Sequence, residues 1–178
     1  LDISVIILTY NEEKNIEECL KSVKDWADEI FIIDSYSTDK TLEVAARYTD
    51  KIYQHPFENH SKQFNWALDN LLITTEWILR LDADERVTPE LAQEIYHLLS
   101  NLPSDITGLY VKRRVYFMDR WIKHGGYYPI WLLRIWKKGK AKVEERFMDE
   151  HVVLFEGKAM RLNNDIEEKN MNDLHWWI

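Results

Sequence analysis

The chain has 178 residues, of which 46% are apolar and 30% charged, enough for one domain with a real core and the profile of an ordinary globular protein. Its formal net charge of -8 argues against a duplex nucleic-acid binder, which needs a basic face to replace counterions. An anionic ligand is still allowed where a cation or a local Lys/Arg cluster mediates it.

Taken in chain order, the first half alternates strands and helices. Ile3 to Leu8 is an apolar run of the kind buried on both faces of a sheet. Ile16, Cys19, Leu20 and Val23 follow helical spacing. Glu29 to Asp34 reads as a second buried strand. Leu42, Val44, Ala45 and Ala46 belong to a helix introduced by Ser37, Thr38 and Asp39. A short strand follows over Lys51 to Gln54, then a helix carrying Phe64, Ala67, Leu68 and Leu71. Trp77 to Leu81 is a further strand. Thr88-Pro89-Glu90 opens a helix with proline in its first turn, and Leu91, Ile95, Leu98 and Leu99 carry its apolar face. After Pro103 the pattern changes: Gly108 to Met118, Leu132 to Lys137 and Val152 to Phe155 read as strands with little helix between them. This alternation predicts an α/β fold, a mostly parallel central sheet with helices on both faces.

The single cysteine, Cys19, rules out an intrachain disulfide, fits a reducing cytoplasmic setting and falls on a helix's apolar face, as a structural thiol would. No apolar run approaches the ~20 residues that span a bilayer, and the first residues read as a strand rather than a signal peptide. The chain does not begin with Met, and its tail, Leu174 to Ile178, reads as a segment cut in mid-element, so further sequence is expected beyond it. Eight tryptophans are expected to divide among core, sugar-stacking and membrane-interface positions.

In sheets of this kind ligands bind at the carboxyl ends of the strands. Three polar clusters gather there: Thr9-Tyr10-Asn11-Glu12-Glu13, Asp34 to Asp39, and Asp82-Ala83-Asp84-Glu85. Capping of the following helices accounts for some of these residues, but not for the surplus of acids. The sequence has no glycine-rich phosphate loop and only five glycines. A divalent ion, Mn²⁺ or Mg²⁺, is the alternative means of neutralising phosphate. It takes hard oxygen ligands such as the alternate carboxylates Asp82 and Asp84. Met148-Asp149-Glu150-His151 is a further acidic group, in which a carboxylate is a candidate general base. His151 is open to three readings: metal ligand, base or structural histidine. Lys62, Arg113, Arg114, Lys123, Arg134 and Lys137 are the basic candidates, and Arg134, inside an apolar strand, is the one most in need of a partner.

The ordered motifs Val5 to Glu13, Ile32 to Thr41 and Trp77 to Glu85 together resemble family 2 of the glycosyltransferases, which has the GT-A nucleotide-diphospho-sugar transferase fold. Within that family the chain is most similar to bacterial enzymes of lipopolysaccharide-core and exopolysaccharide assembly. They show a Gly-Gly-Tyr-Tyr-Pro-like segment before an Arg-bearing strand, as Gly125 to Arg134 does here, and a His-Glu or Asp-Glu pair where this chain has Asp149-Glu150.

The resemblance implies one catalytic domain over 1–178, with a nucleotide-sugar-binding half (1–102) and an acceptor-side half (103–178). It implies that Thr9, Tyr10, Asn11 and Glu12 or Glu13 line the nucleoside pocket and that Asp34 holds base or ribose. Lys62 and Asn65 flank the nucleotide, and Ala83 lies within the donor site. Asp82 contacts ribose or metal, Asp84 binds metal with His151 as a further candidate ligand, and Arg134 approaches the diphosphate. Glu150, or failing that Asp149, is the base. The implied reaction is inverting transfer from a nucleoside-diphosphate sugar, a UDP-sugar first, to a hydroxyl of a glycan or lipid-linked acceptor. Peripheral association with the inner face of the plasma membrane goes with such an acceptor. A nucleotidyltransferase and an inactive nucleotide-sugar-binding domain are the alternatives.

Overall fold

The structure is a computed structural model describing residues 1–126, 128–146 and 149–172, with the side chains of Arg146, Asp149 and Glu150 outside that description. In chain order the elements are β1 (Ile3–Thr9), α1 (Ile16–Lys21), β2 (Glu29–Asp34), α2 (Thr41–Ala45), β3 (Ile52–Gln54), α3 (His60–Asn70), β4 (Trp77–Asp82) and β5 (Glu85–Val87). There follow α4 (Pro89–Leu98), β6 (Ile106–Phe117), β7 (Arg120–Ile122), β8 (Ile130–Lys137), β9 (Ala141–Arg146), β10 (Asp149–Leu154) and β11 (Lys158–Lys169).

The main sheet runs β3-β2-β1-β4-β8-β6-β11-β5, with β7 on the outer part of β6. Strands β3, β2, β1 and β4 are mutually parallel, as their helical crossovers require. Beyond β4 the sheet becomes mixed: β8 is antiparallel to β4 and to β6, and β11 runs parallel to β6 but antiparallel to β5. The reason is local. After Pro103 the connections are loops and hairpins rather than helices, and a direct reversal can only pair strands antiparallel.

Period-2 alternation divides the core between the two faces. Ile3, Val5 and Ile7 of β1 pack with Ile16, Cys19 and Leu20 of α1, Val44 of α2 and Leu91 and Ile95 of α4. Ile6, Phe31, Ile33 and Ile78 face the other way, against Phe64 and Ala67 of α3 and Ala141 and Val143 of β9. Helices therefore cover both faces, and the β9–β10 hairpin completes the second layer. Among the described residues no helix is long and apolar enough to cross a membrane.

Candidate active site

Strands β1, β2 and β4 point their carboxyl ends the same way, so Thr9, Asp34 and Asp82 arrive at one edge of the sheet. There a cleft of about 780 Å³ is lined by Asn59, His60, Arg80, Asp82, Tyr110, Trp131, Arg134 and His151, among others. A second cavity, about 480 Å³, is lined by Leu8, Thr9, Tyr10, Glu12, Ser35, Phe57 and His60. His60 borders both, which makes one trough across the sheet edge.

The loops at the β1–β2 end hold one another. The Asp34 carboxylate is fully buried. It accepts hydrogen bonds from Thr9 Oγ1 (2.7 Å), Ser37 N (2.8 Å), Ser37 Oγ (2.6 Å) and Gln54 Nε2 (3.3 Å). These occupy its acceptor sites, so in this structure Asp34 shapes the loop and does not line the trough. Asn11, in the left-handed region at φ 50°, donates its N–H to Ser37 Oγ and accepts from Thr38 N through Oδ1. Glu13 accepts from Lys40 N and donates its own N–H to Asp39, again between loops. Tyr10 and Phe57 remain 57% and 50% exposed at the mouth of the second cavity, open for contact with a ligand.

The acidic turn after β4 is built on a buried ion pair. Arg134 Nη1 and Nη2 reach Glu85 Oε1 at 2.5 Å and Oε2 at 3.2 Å, and Glu85 Oε1 also accepts the Asp82 N–H at 2.8 Å. Arg134 Nη2 lies 3.5 Å from Asp82 Oδ2, and Arg80 Nε lies 3.8 Å from Asp82 Oδ1. Burial opposes charge on Asp82, but Arg134, Arg80, Arg113 and His60 together pull its carboxyl below the ordinary aspartate value. Asp84 has the opposite balance. Burial first, then Glu85, Glu168, Asp82 and Glu12, push it up to about 8. Burial likewise raises Glu12, with Asp82 and Asp39 adding to it against the Asn15 hydrogen bond. Glu168 is raised by burial, and by Glu85 and Asp82 against Arg113 and Arg134.

This excess of carboxylates suits a hard divalent cation. Among the described residues no three acidic, histidine or cysteine side chains converge on a single point. The donor set therefore fits an ion that takes one or two carboxylates and fills its remaining positions from phosphate and water, the habit of Mg²⁺. Ala83 is buried, so its side chain contacts core rather than ligand.

Several expected site residues have other partners. Asn65 donates through Nδ2 to Val143 O (2.7 Å) and accepts from Val143 N through Oδ1 (3.0 Å), which fastens α3 to β9, and it is not among the residues that line the trough. Lys62 is exposed and pairs with Glu58 at 2.5 Å, outside the trough lining. Arg134 does border the cleft, but its fork is engaged by Glu85, so it positions the turn rather than offering itself to a diphosphate. Asp149 and Glu150 begin β10, on the hairpin whose His151 and Val152 line the cleft, but their side chains lie outside the described residues.

The structure also brings in residues that the sequence reading did not select. Phe57 and His60 follow β3, a fourth parallel strand, so the same edge rule applied to its loop would have found them. Arg80, 8% exposed, sits inside the apolar β4 run as Arg134 does inside β8, with its guanidinium 5.3 Å from the Phe64 ring centre. Glu85 and Glu168 carried no separate signal in the sequence.

A parallel nucleotide-type half sheet with an acidic turn at its edge, extended by a mixed half, is the GT-A class of sugar-nucleotide transferases. The family model described as "Glycosyl transferase family 2" matches residues 4–165, and the chain belongs to that family. A lipopolysaccharide core biosynthesis glycosyltransferase, LpsC of Rhizobium meliloti (strain 1021), is 30% identical over 154 residues, 81% of this chain and 54% of that protein. The solved structure of S. aureus TarS 1-349 in complex with UDP-GlcNAc superposes with a TM-score of 0.66 at 18% identity, over 98% of this chain and 60% of the other. Glucosyl-3-phosphoglycerate synthase from Mycobacterium tuberculosis, in complex with Mn²⁺, UDP-Glc and phosphoglyceric acid, gives 0.51 at 22% identity over 63% and 43%. At these identities the two structures speak for the fold alone. The chain spans from about a fifth to about half of the length of the curated relatives it matches.

Proposed function

We propose that this chain is the donor-binding, catalytic part of a metal-dependent inverting glycosyltransferase. In this reading it moves a sugar from a nucleoside diphosphate, UDP-sugars first, to a hydroxyl of a glycan or lipid-linked acceptor in bacterial surface-polysaccharide assembly. The observation that carries it is the Asp82-Ala83-Asp84 turn, held by the Arg134–Glu85 pair at the β4 end of an open trough. The LpsC relative supports the polysaccharide role. The UDP-GlcNAc and Mn²⁺/UDP-Glc complexes of proteins with this fold support the donor class and the cofactor.

Each residue then has a defined task. Tyr10 and Phe57 receive the base at the mouth of the second cavity. Asp34 and Asn11 fix the loops that shape that cavity. Asp84, together with Asp82, holds Mn²⁺ or Mg²⁺, while Arg80 and Arg134 keep Asp82 ionised for that purpose. The chemistry a bound divalent ion supplies is neutralisation of the charge that develops on the departing diphosphate. Glu150, with Asp149 as the alternative, takes the proton of the acceptor hydroxyl as its oxygen attacks the anomeric carbon from the face opposite the leaving group. One such displacement inverts the anomeric centre. His151, on the cleft wall, orients the acceptor or the base.

Titration calorimetry with UDP, UDP-Glc and UDP-GlcNAc in Mn²⁺ tests the reading. Binding is expected, and is expected to vanish with EDTA or in Asp84→Asn. Failure of every nucleoside diphosphate to bind in Mn²⁺ would sink it.

A further inference from the structure

Strand β6 ends at the edge that carries the trough, with β11 paired to it as far as Tyr116. Through the registers Glu85↔Glu168 and Glu168↔Val115, Glu85 of the acidic turn lies level with Val115. Phe117 ends the strand two residues later, so the β6–β7 hairpin reaches roughly 7 Å past Glu85 before it turns back. At its tip Met118 is 71% exposed and Phe117 is 37% exposed.

The turn itself is unusual. Met118 and Asp119 have φ of 48° and 63°, the left-handed pair that two-residue hairpin loops normally give to Asn-Gly. Methionine is poorly suited to that backbone region, and its side chain gains no burial there. A strained apolar residue at an exposed tip points to an external use for it.

The surroundings say what kind of use. Although the chain is acidic overall, the stretch from Lys112 to Lys123 holds five basic side chains against one acid. The three inner ones pair with acids of β5 and β11. The outer two, Arg120 and Lys123, have no carboxylate partner among the described residues. Trp121 lies between them with Lys123 Nζ 4.5 Å and the Arg114 guanidinium 4.9 Å from its ring centre. Next to this, Lys169 Nζ lies 4.5 Å from the Tyr116 ring. An apolar tip, an aromatic collar and outward cations form the sequence of layers that suits the headgroup boundary of an anionic bilayer.

We propose that the β6–β7 hairpin is a membrane-docking element: Phe117 and Met118 enter the interface of an anionic phospholipid surface while Arg120 and Lys123 engage its headgroups. Docked in this way, the trough opens toward the bilayer and a lipid-linked acceptor reaches it from the interface. The orientation toward an acceptor rests on the glycosyltransferase reading; the docking itself does not.

Flotation with vesicles of phosphatidylcholine alone, or with about a third phosphatidylglycerol, tests it at low and high salt. The protein is expected to float only with the anionic vesicles and to be released by salt. Met118→Asn is the decisive variant, because asparagine suits the left-handed turn and preserves or raises the melting temperature while removing the apolar tip. It is expected to weaken vesicle binding about tenfold, as is Arg120→Glu/Lys123→Glu. UDP binding in Mn²⁺ without vesicles is expected to be unchanged in both variants, and failure of the parent itself to bind UDP would count against the transferase reading and not against docking. Docking is overturned if Met118→Asn binds anionic vesicles like the parent, or if neutral and anionic vesicles bind alike. Self-association abolished by Met118→Asn would also overturn it, since the tip would then serve a second copy of the chain.

Discussion

Arg134 and Glu85 meet through both arms of the guanidinium, at 2.5 Å and 3.2 Å, with 5% and 0% of the two residues exposed. The pair joins β8 to the turn after β4, and Glu85 also takes the Asp82 N–H. Removing one partner leaves a buried charge unpaired, and that costs far more than the intact pair contributes. Arg134→Met is therefore expected to lower stability by about 3–5 kcal/mol, and Arg134→Met with Glu85→Leu to recover much of the loss. Urea denaturation midpoints of the three proteins check this, and additive losses would contradict it.

Asp84 makes stability depend on pH. Its folded value is about 8 against an ordinary 3.8, because burial and four neighbouring carboxylates oppose its charge. The folded protein thus keeps a proton that the unfolded chain releases, and stability falls as pH rises through this window. The contribution is fully present below the ordinary value and is lost as pH passes the folded one. Metal-free Asp84→Asn is expected to lose that part of the slope and to be the more stable protein at pH 8. Added Mn²⁺ should raise the melting temperature of the parent more at pH 8 than at pH 6, because it competes with the proton. Thermal melts of both proteins across pH, with and without Mn²⁺, decide it.

Asn65 and Asp34 are expected to separate packing from ligand binding. Asn65→Ala breaks both hydrogen bonds to Val143 and is expected to cost about 1–3 kcal/mol while leaving UDP affinity unchanged. Asp34→Ala releases four donors from the loops that shape the second cavity. It is expected to cost about 3 kcal/mol and to weaken UDP binding as well. Equal effects of the two variants on UDP affinity would return Asn65 to the donor site.

Cys19 is fully buried, and its thiol is pushed well above the ordinary value by burial and then by Glu85, Asp82, Asp84 and Glu12. Its Sγ lies 3.5 Å from the Asp82 carbonyl. The native protein is expected to resist thiol reagents at pH 8 and to react only through global unfolding. Labelling kinetics followed across urea concentration would expose a local route if there is one.

Some of this was legible without the fold. β1, β2, β4 and β8 announce themselves as apolar runs because a strand covered on both faces has no polar side to show. The parallel order of the first three then brings Thr9, Asp34 and Asp82 to one edge, and the sequence by itself determined that shared edge and the family resemblance. Only the tertiary structure decided β11. Lys158–Lys169 is largely polar, with two asparagines and an aspartate in its middle, and it is a strand because β6 and β5 satisfy its backbone on both sides. Side-chain partners were equally out of reach. Whether Arg134 meets a diphosphate or Glu85, and whether Asn65 meets a nucleotide or Val143, depends on distances between segments dozens of residues apart. Residue type fixes what a group can bond to, but long-range packing chooses which partner it gets.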